Sequence, residues 1–473
     1  MKLARLLISA AHKSSGKTTV TIGLARAMAR RGLQVQTFKK GPDYIDPMWL
    51  SRASARPCIN LDPHLMHDAE IAAALPRYAG DADLALIEGN KGLYDGLALD
   101  GSNSNAALAQ RLATPVLLVL DARGMTRGIA PLILGYQAFD RGVRIGGVIL
   151  NQLGGSRHEA KLRAVIEHYT DVPVLGALPH DERLAMTERH LGLMPVAETD
   201  DAGARIEAMA EAVSARVDLD RVLALARSAS PWPLVPMPQA PAPAPAAPRL
   251  RIGIARDAAF GFYYPDDLSA LESAGATLVN VDMLHDTRLP PLDGLFIGGG
   301  FPETAMAALE ANAALRAELR RAIEAGLPTY AECGGLMVLA RSIRWGDRCA
   351  QMVGAIQGDV VMHPRPVGRG YVQVEETAAH PWPTLDGSPA AGLLRQGHEF
   401  HHSSLEQLDA SVEFAYRVRR GHGIDGCHDG VRVHRLLASY VHLRATGGNA
   451  WPQRFMAYVR LSQRGASASE RAA

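Results

Sequence analysis

Short runs of β-type apolar residues punctuate the first half of the chain: Leu3 to Ala10, Val35 to Phe38, Leu84 to Ile87, Pro115 to Leu120, Gly147 to Leu150 and Val174 to Leu178. Between them lie stretches with helical periodicity, such as Thr18 to Arg31. Alternation of this kind predicts βαβ units and a mostly parallel sheet. From Pro231 to Pro248 the pattern gives way to PWPLVPMPQAPAPAPAAP. So much proline excludes a helix or a central strand and reads as an extended linker. A second series follows with RLRIGIA at Arg249, DGLFIGGG at Asp293 and LPTYAECGG at Leu327. The expected fold class is α/β, with two doubly wound domains at residues 1–228 and 249–462, a linker at 229–248, and a small, polar, disordered tail at 463–473.

Composition narrows the function. The chain has 473 residues, 47% of them hydrophobic, enough to bury the cores of two or three domains. Lysine plus arginine (50) balances aspartate plus glutamate (49) with no long basic block, which argues against nucleic acid and for a small-molecule substrate. The N-terminal apolar run leads into a functional loop rather than a cleavage site, so neither a signal peptide nor a membrane span is expected. Cys58, Cys333, Cys349 and Cys427 lie far apart without CxxC spacing, so no disulfide framework or zinc site is suggested, and a reducing cytoplasm fits.

Two segments carry chemistry. The first, Ala11-His12-Lys13-Ser14-Ser15-Gly16-Lys17-Thr18-Thr19, follows a predicted strand and opens a predicted helix, the context a P-loop requires, although Ala11 replaces the usual first glycine. Loop N–H groups would hold phosphates, Lys17 would reach the β/γ oxygens and Thr18 would ligate magnesium. Downstream, Lys39 and Lys40 end a strand just before Asp43, Tyr44 and Asp46. Carboxyl ends of strands converge on the ligand crevice of an open α/β sheet, so a lysine here can meet a phosphate and a carboxylate can meet magnesium. The strand from Leu84 to Ile87 runs into Glu88, where a second metal ligand beside a P-loop would sit. Asp95 lies on the glycine-rich loop that follows. For any one of these charges taken alone, a solvated loop is the ordinary fate.

In the second segment, Pro328 to Met337, a strand leads through Cys333, Gly334 and Gly335 into a helix, the nucleophile-elbow pattern with cysteine in place of serine. Burial as an inert thiol is the commoner fate of cysteine, and the flanking glycines argue against it. Gly298-Gly299-Gly300 follows another strand and offers backbone N–H groups that, with that of Gly334, would form an oxyanion hole. Two histidine groups compete for the role of base. One is His398, His401 and His402 within GHEFHHS; the other is His442 within SYVHL. Residue types alone leave the choice open.

The whole set of ordered motifs resembles the cobyrinic acid a,c-diamide synthases, including the hydrogenobyrinic acid enzymes. It comprises SSGKTT, KKGPDYIDP, NLDPHLM at Asn60, EGNKGLYDG at Glu88, GVILNQLGGSRH at Gly147, ERHLGLMP at Glu188, ARDAAFGFYYPDDL at Ala255, FIGGGFPE at Phe296, AECGGLM at Ala331, GHEFHHS at Gly397 and SYVHL at Ser439. The resemblance spans nearly the whole chain. It implies a first domain similar to dethiobiotin synthetase and a second that is a class I glutamine amidotransferase. ATP, Mg2+, L-glutamine and a tetrapyrrole acid follow from it, together with an acyl phosphate, a protected route for ammonia, and a monomer or homodimer. Carried over by motif, Gly16, Lys17, Thr18, Thr19, Lys40 and Asn151 would bind the nucleotide, with Asn151 at the adenine. Asp43, Tyr44, Asp46 and Asp95 would serve substrate activation. Thr18, Glu88 and Asp43 would hold the metal, and Cys333 and His442 would be the glutaminase pair. Two positions depart from the pattern. Class I enzymes place a glutamate two residues after the histidine, where this chain has Arg444, a residue whose loss is expected to leave glutamine hydrolysis nearly intact. The family commonly reads EGVMGLYDG where Asn90 and Lys91 stand here. Amidation of sirohydrochlorin or a related tetrapyrrole is one alternative, and a P-loop ATPase switch with a degenerate glutaminase module is another.

Overall fold

The computed structural model describes residues 3–186, 188–189, 192–199, 201–231 and 248–470. Most of the expected linker, residues 232–247, therefore lies outside the described residues, as do 471–473 at the end of the expected tail. The chain divides into two units, Met1–Pro238 and Gln239–Ala473.

The first unit is built on a seven-stranded sheet with strands β1 (Arg5–Ala10), β2 (Val35–Lys40), β3 (Ile59–Leu61), β4 (Leu84–Glu88), β5 (Val116–Asp121), β6 (Ile145–Leu153) and β7 (Val174–Pro179), in the order β3-β2-β4-β1-β5-β6-β7. Every pairing is parallel. β1 and β4 are buried throughout, which explains their continuous apolar runs. Because β1 lies between β4 and β5, the loop after β1 opens at the carboxyl edge beside the ends of β2 and β4. Helix α1 (Lys17–Arg30) starts there, and α2 (Ile45–Ser54) follows β2. Helix α3 (Ala202–Arg216) packs against α1 where Gly23 lets the backbones close, since a Cβ on Gly23 would stand 2.8 Å from the Met209 carbonyl.

The second unit has a nine-stranded sheet. β8 (Leu250–Ala255), β9 (Ala276–Val281), β10 (Gly294–Ile297), β11 (Thr329–Glu332) and β16 (Leu436–Ser439) pair in parallel in the order β9-β8-β10-β11-β16. The sheet then continues through antiparallel strands β15 (His428–Val433), β14 (Glu413–Arg420), β12 (Gly368–Glu376) and β13 (Leu394–His401). That antiparallel half was not read from the sequence. Helix α4 (Gly334–Leu339) leaves β11, and α5 (Trp451–Glu470) closes the chain. Residues 463–470, expected to belong to a disordered tail, continue α5. Among the described residues no helix is long and apolar enough to cross a membrane.

Candidate active sites

The P-loop lies between β1 and α1. Gly16, at the N-cap of α1, adopts φ 83°, and a Cβ there would fall 2.1 Å from Asn151 Nδ2, so both conformation and space require glycine. Asn151, at the end of β6, donates Nδ2 to the Ser15 carbonyl at 2.9 Å and holds the loop against the sheet. Lys17 is buried at the first helical position. Burial and the neighbouring Lys39 lower its pKa, opposed by Glu88, Asp46 and Asp43. Thr19 follows, half-buried.

Around Thr18 the ends of β2 and β4 and the start of α2 converge. Thr18 Oγ1 donates to Glu88 Oε1 at 2.6 Å and lies 3.4 Å from Asp46 Oδ2. Lys39 Nζ binds the same Glu88 oxygen at 3.0 Å, forms an ion pair with Asp46, and stands 3.7 Å from Asp43. Burial acts to lower the Lys39 pKa, but Asp46 and Glu88 outweigh it and raise it well above the ordinary lysine value. Burial conversely raises Glu88. Asp46 ends lowered, because Lys39 overcomes its burial. Asp43 is pushed up to about 7 by burial and by Asp46.

Lys40, Asp43, Tyr44 and Asp95 stand in different surroundings. Successive strand residues face opposite sides of a sheet, so Lys40, chosen to face the phosphates, turns away from this group; its Nζ donates to Asn90 Oδ1 at 3.1 Å. Burial and nearby Lys91, Lys39 and Arg111 outweigh Asp62 and lower the Lys40 pKa to about 8. Lys39 is the lysine that meets the carboxylates. Asp43, assigned to the metal, commits Oδ1 to the N–H groups of Ile45 and Asp46 as a helix cap, leaving Asp46 as the carboxylate beside Thr18. Tyr44 is the N-cap residue of α2. Asp95 lies outside the cluster: Oδ2 accepts from Gly92 N at 2.9 Å and fixes a turn packed on Ala11.

Glu88 Oε2 is buried without a hydrogen-bond partner. With the Thr18 hydroxyl and Asp46 it makes a set of hard oxygen donors that fits magnesium. No cluster of three or more His, Cys, Asp or Glu side chains forms a metal cage among the described residues; magnesium beside a P-loop uses one or two carboxylates, with phosphate and water completing its shell.

In the second unit Cys333 sits between β11 and α4 with φ 48° and ψ −102°, a conformation costly for a residue with a side chain. Gly334 and Gly335 make room for the turn. A Cβ on Gly335 would lie 2.2 Å from the Ile297 carbonyl, and one on Gly334 would lie 2.9 Å from Gly300 N. The partner of Cys333 comes from the adjacent parallel strand: Glu332 of β11 is in register with Ser439 of β16, and His442 follows three residues later. Asp429 braces that strand end, accepting from Ser439 Oγ at 2.9 Å and from the Tyr440 and Val441 amides at 3.1 and 3.0 Å. His442 is buried and hydrogen-bonded to Cys333. Burial acts to lower its pKa, but the bonds to Cys333 and Glu332 raise it to about 10.

The rival histidines have other partners. His398 stacks on His442 with centroids 4.9 Å apart, and the two exchange backbone hydrogen bonds. His401 stacks on Tyr440 at 3.8 Å and bonds the Ser403 carbonyl through Nδ1. His402 Nδ1 meets the His363 carbonyl. Of the three expected oxyanion donors, Gly298 N–H is taken by the Tyr263 hydroxyl at 2.9 Å, while Gly299 and Gly300 form a short strand in register with Phe262 and Phe260, and Gly300 N lies beside Gly334. Arg444 is buried, bonded to Asp266 at 2.9 Å and stacked over Tyr264. All four cysteines are free, with Cys349 and Cys427 exposed.

Residues 4–188 match the family described as an AAA domain, and residues 251–450 match the CobB/CobQ-like glutamine amidotransferase domain. The cobyrinate a,c-diamide synthase of Magnetococcus marinus is 45% identical over 95% of this chain and 96% of its own. The enzyme of the same name from Methanosarcina acetivorans is 41% identical over 93% and 92%, and that from Listeria monocytogenes serovar 1/2a is 38% identical over 93% and 96%. Identity of this depth over more than nine-tenths of each chain means that the chain belongs to the cobyrinate a,c-diamide synthase family of glutamine-dependent amide ligases.

Proposed function

We propose that this chain amidates the a and c side-chain carboxylates of cobyrinate or hydrogenobyrinate in cobalamin biosynthesis, using ATP and glutamine and passing through an acyl phosphate. The observation that carries the reading is the presence of a Cys333–His442 pair and a Lys17–Thr18–Glu88 phosphate group in one chain. At the first site the P-loop amides and Lys17 hold the polyphosphate while a substrate carboxylate oxygen attacks the γ-phosphorus. Lys39 neutralises charge beside Thr18. Thr18, Glu88 and Asp46 would hold magnesium, which supplies further neutralisation of phosphate charge when bound.

At the second site His442 takes the Sγ proton and the sulfur attacks the carboxamide carbon of glutamine. The imidazolium returns the proton to the leaving nitrogen, giving ammonia and a thioester that water hydrolyses to glutamate. Ammonia then displaces phosphate from the activated carboxyl, and repetition gives the diamide. Mass spectrometry of products from cobyrinate, hydrogenobyrinate and sirohydrochlorin, each with glutamine or ammonium, tests the reading. Two carboxylate-to-amide steps on a cobyrinate-type acid are expected. Conversion of sirohydrochlorin alone would move the substrate assignment, and phosphate release without amide would favour the ATPase switch.

A further inference from the structure

The class I pattern puts a carboxylate two residues after the base, and here that place holds Arg444, committed to Asp266. A buried imidazole beside a thiol still needs one ring nitrogen fixed, or the tautomer that accepts the sulfur's proton is not specified. His442 Nδ1 stands 3.2 Å from Glu332 Oε2. Both side chains are almost completely buried. Glu332 is itself held at two further points: its Oε1 accepts from the Tyr330 hydroxyl at 2.5 Å and from the Leu443 amide at 2.9 Å. These partners lie on both sides of the site, Tyr330 on β11 and Leu443 next to the base.

We propose that Glu332, the residue immediately before the nucleophile, is the positioning carboxylate of the glutaminase, taking the role that Arg444 cannot fill. Its carboxylate accepts the Nδ1 proton, which leaves Nε2 to receive the proton of Cys333, and it stabilises the imidazolium that results. The turn makes this possible: Glu332 ends β11 one residue before the chain turns through Cys333, so neighbouring residues both bond the His442 side chain. The inference rests on Cys333 and His442 being the glutaminase pair. Besides these two residues and Glu332, the titratable and charged groups near the pair include the stacked His398, Tyr330 through Glu332, Arg444 acting on His398, and Tyr440, which interacts with Cys333.

Glu332→Gln keeps the shape and an acceptor for Leu443 but loses the charge. In the full-length chain we expect it to lower kcat for glutamine hydrolysis by about 10- to 10³-fold with KM within about twofold. The pH profile for alkylation of Cys333 by iodoacetamide should move to higher pH, because the imidazolium that stabilises the sulfur anion is less favoured. Ammonia-dependent synthesis should stay near wild type, which a general collapse of the fold would not allow. Glu332→Asp retains the charge and should recover about tenfold of the lost turnover, giving a second route if the glutamine variant folds poorly. A folded Glu332→Gln with wild-type kcat and an unmoved alkylation profile would overturn the proposal, as would Glu332→Asp no faster than Glu332→Gln. Failure of the wild-type chain to release glutamate would instead strike the functional reading, and the alkylation profile would still decide the role of Glu332.

Discussion

Lys39→Ala takes an ammonium out of a pocket that also holds Glu88 at 3.0 Å, Asp46 in an ion pair and Asp43 at 3.7 Å. At an effective dielectric of about 20, a unit pair at such distances is worth about 4.5–5.5 kcal/mol before desolvation. Removing one member of a buried pair commonly costs about 3–5 kcal/mol. The carboxylates have an escape, since Asp43 already titrates near 7 and the trio can take up a further proton, at about 1.4 kcal/mol for each tenfold change in proton affinity. The net loss of stability in the first unit should therefore be about 2–4 kcal/mol. Synthesis from either nitrogen source should fall by about 10²–10³-fold, the scale for losing a preorganised charge at a transferring phosphoryl group. Lys40→Ala removes a bond to Asn90 rather than a link to the acidic group, and its turnover should fall less than about tenfold. Ammonia-dependent amide formation measures the effect, with glutamate release as a control in the second unit. A normal rate for Lys39→Ala beside a collapsed rate for Lys40→Ala would refute the reasoning and restore the lysine chosen from the motif.

Cys333→Ser should abolish glutamine-dependent synthesis and leave synthesis from high ammonium intact; loss of both, measured side by side, would break the separation of the sites. His442→Ala should cost glutamate release about 10²–10⁴-fold, and a collapsed rate in His401→Ala with a normal one in His442→Ala would transfer the base. Arg444→Ala should destabilise the second unit by about 2–4 kcal/mol in urea unfolding because it leaves the half-buried Asp266 without its cation; an unchanged midpoint would show that the pair contributes nothing.

The P-loop and the cysteine elbow were legible because each is local: strand, glycines and helix follow one another within about a dozen residues. What crossed between elements was not. The sequence offered Lys39 and Lys40 as equals, since alternation says that one faces the site but the phase depends on how β2 meets β4. It offered His398 and His442 as rivals, whereas β13 and the chain after β16 bring them together in a stack with His442 on the side of Cys333. Glu332 was in view inside AECGG yet read only as a strand residue. The signal available was a carboxylate at the end of an otherwise apolar buried run, the same cue that singled out Glu88. Asp43 caps the first turn of α2 while Asp46 stands beside Thr18, a division set by where the helix begins.

The strain at Cys333 shows why these local motifs also depend on distant residues. A cysteine at φ 48° costs of order 1–3 kcal/mol, and two glycines remove steric obstacles without favouring that angle. The surroundings must hold it. Cys333 N–H donates to the Ser439 carbonyl at 2.7 Å, and Met337 N–H returns to the Cys333 carbonyl at 3.0 Å, so the strained residue is tied on one side to β16 and on the other to α4. Gly335 rests against the Ile297 carbonyl with no room for a methyl group. Gly335→Ala would have to open the gap between β10 and α4 by about an ångström, at about 1–3 kcal/mol. A displacement of that size at the reacting sulfur is enough to lower turnover about 10²-fold. Glutamate release should therefore collapse in a variant that still folds and still makes amide from ammonium. Wild-type glutamate release in Gly335→Ala would mean that the elbow tolerates a side chain where the backbone contact forbids one, and that the angle at Cys333 is not held by this packing.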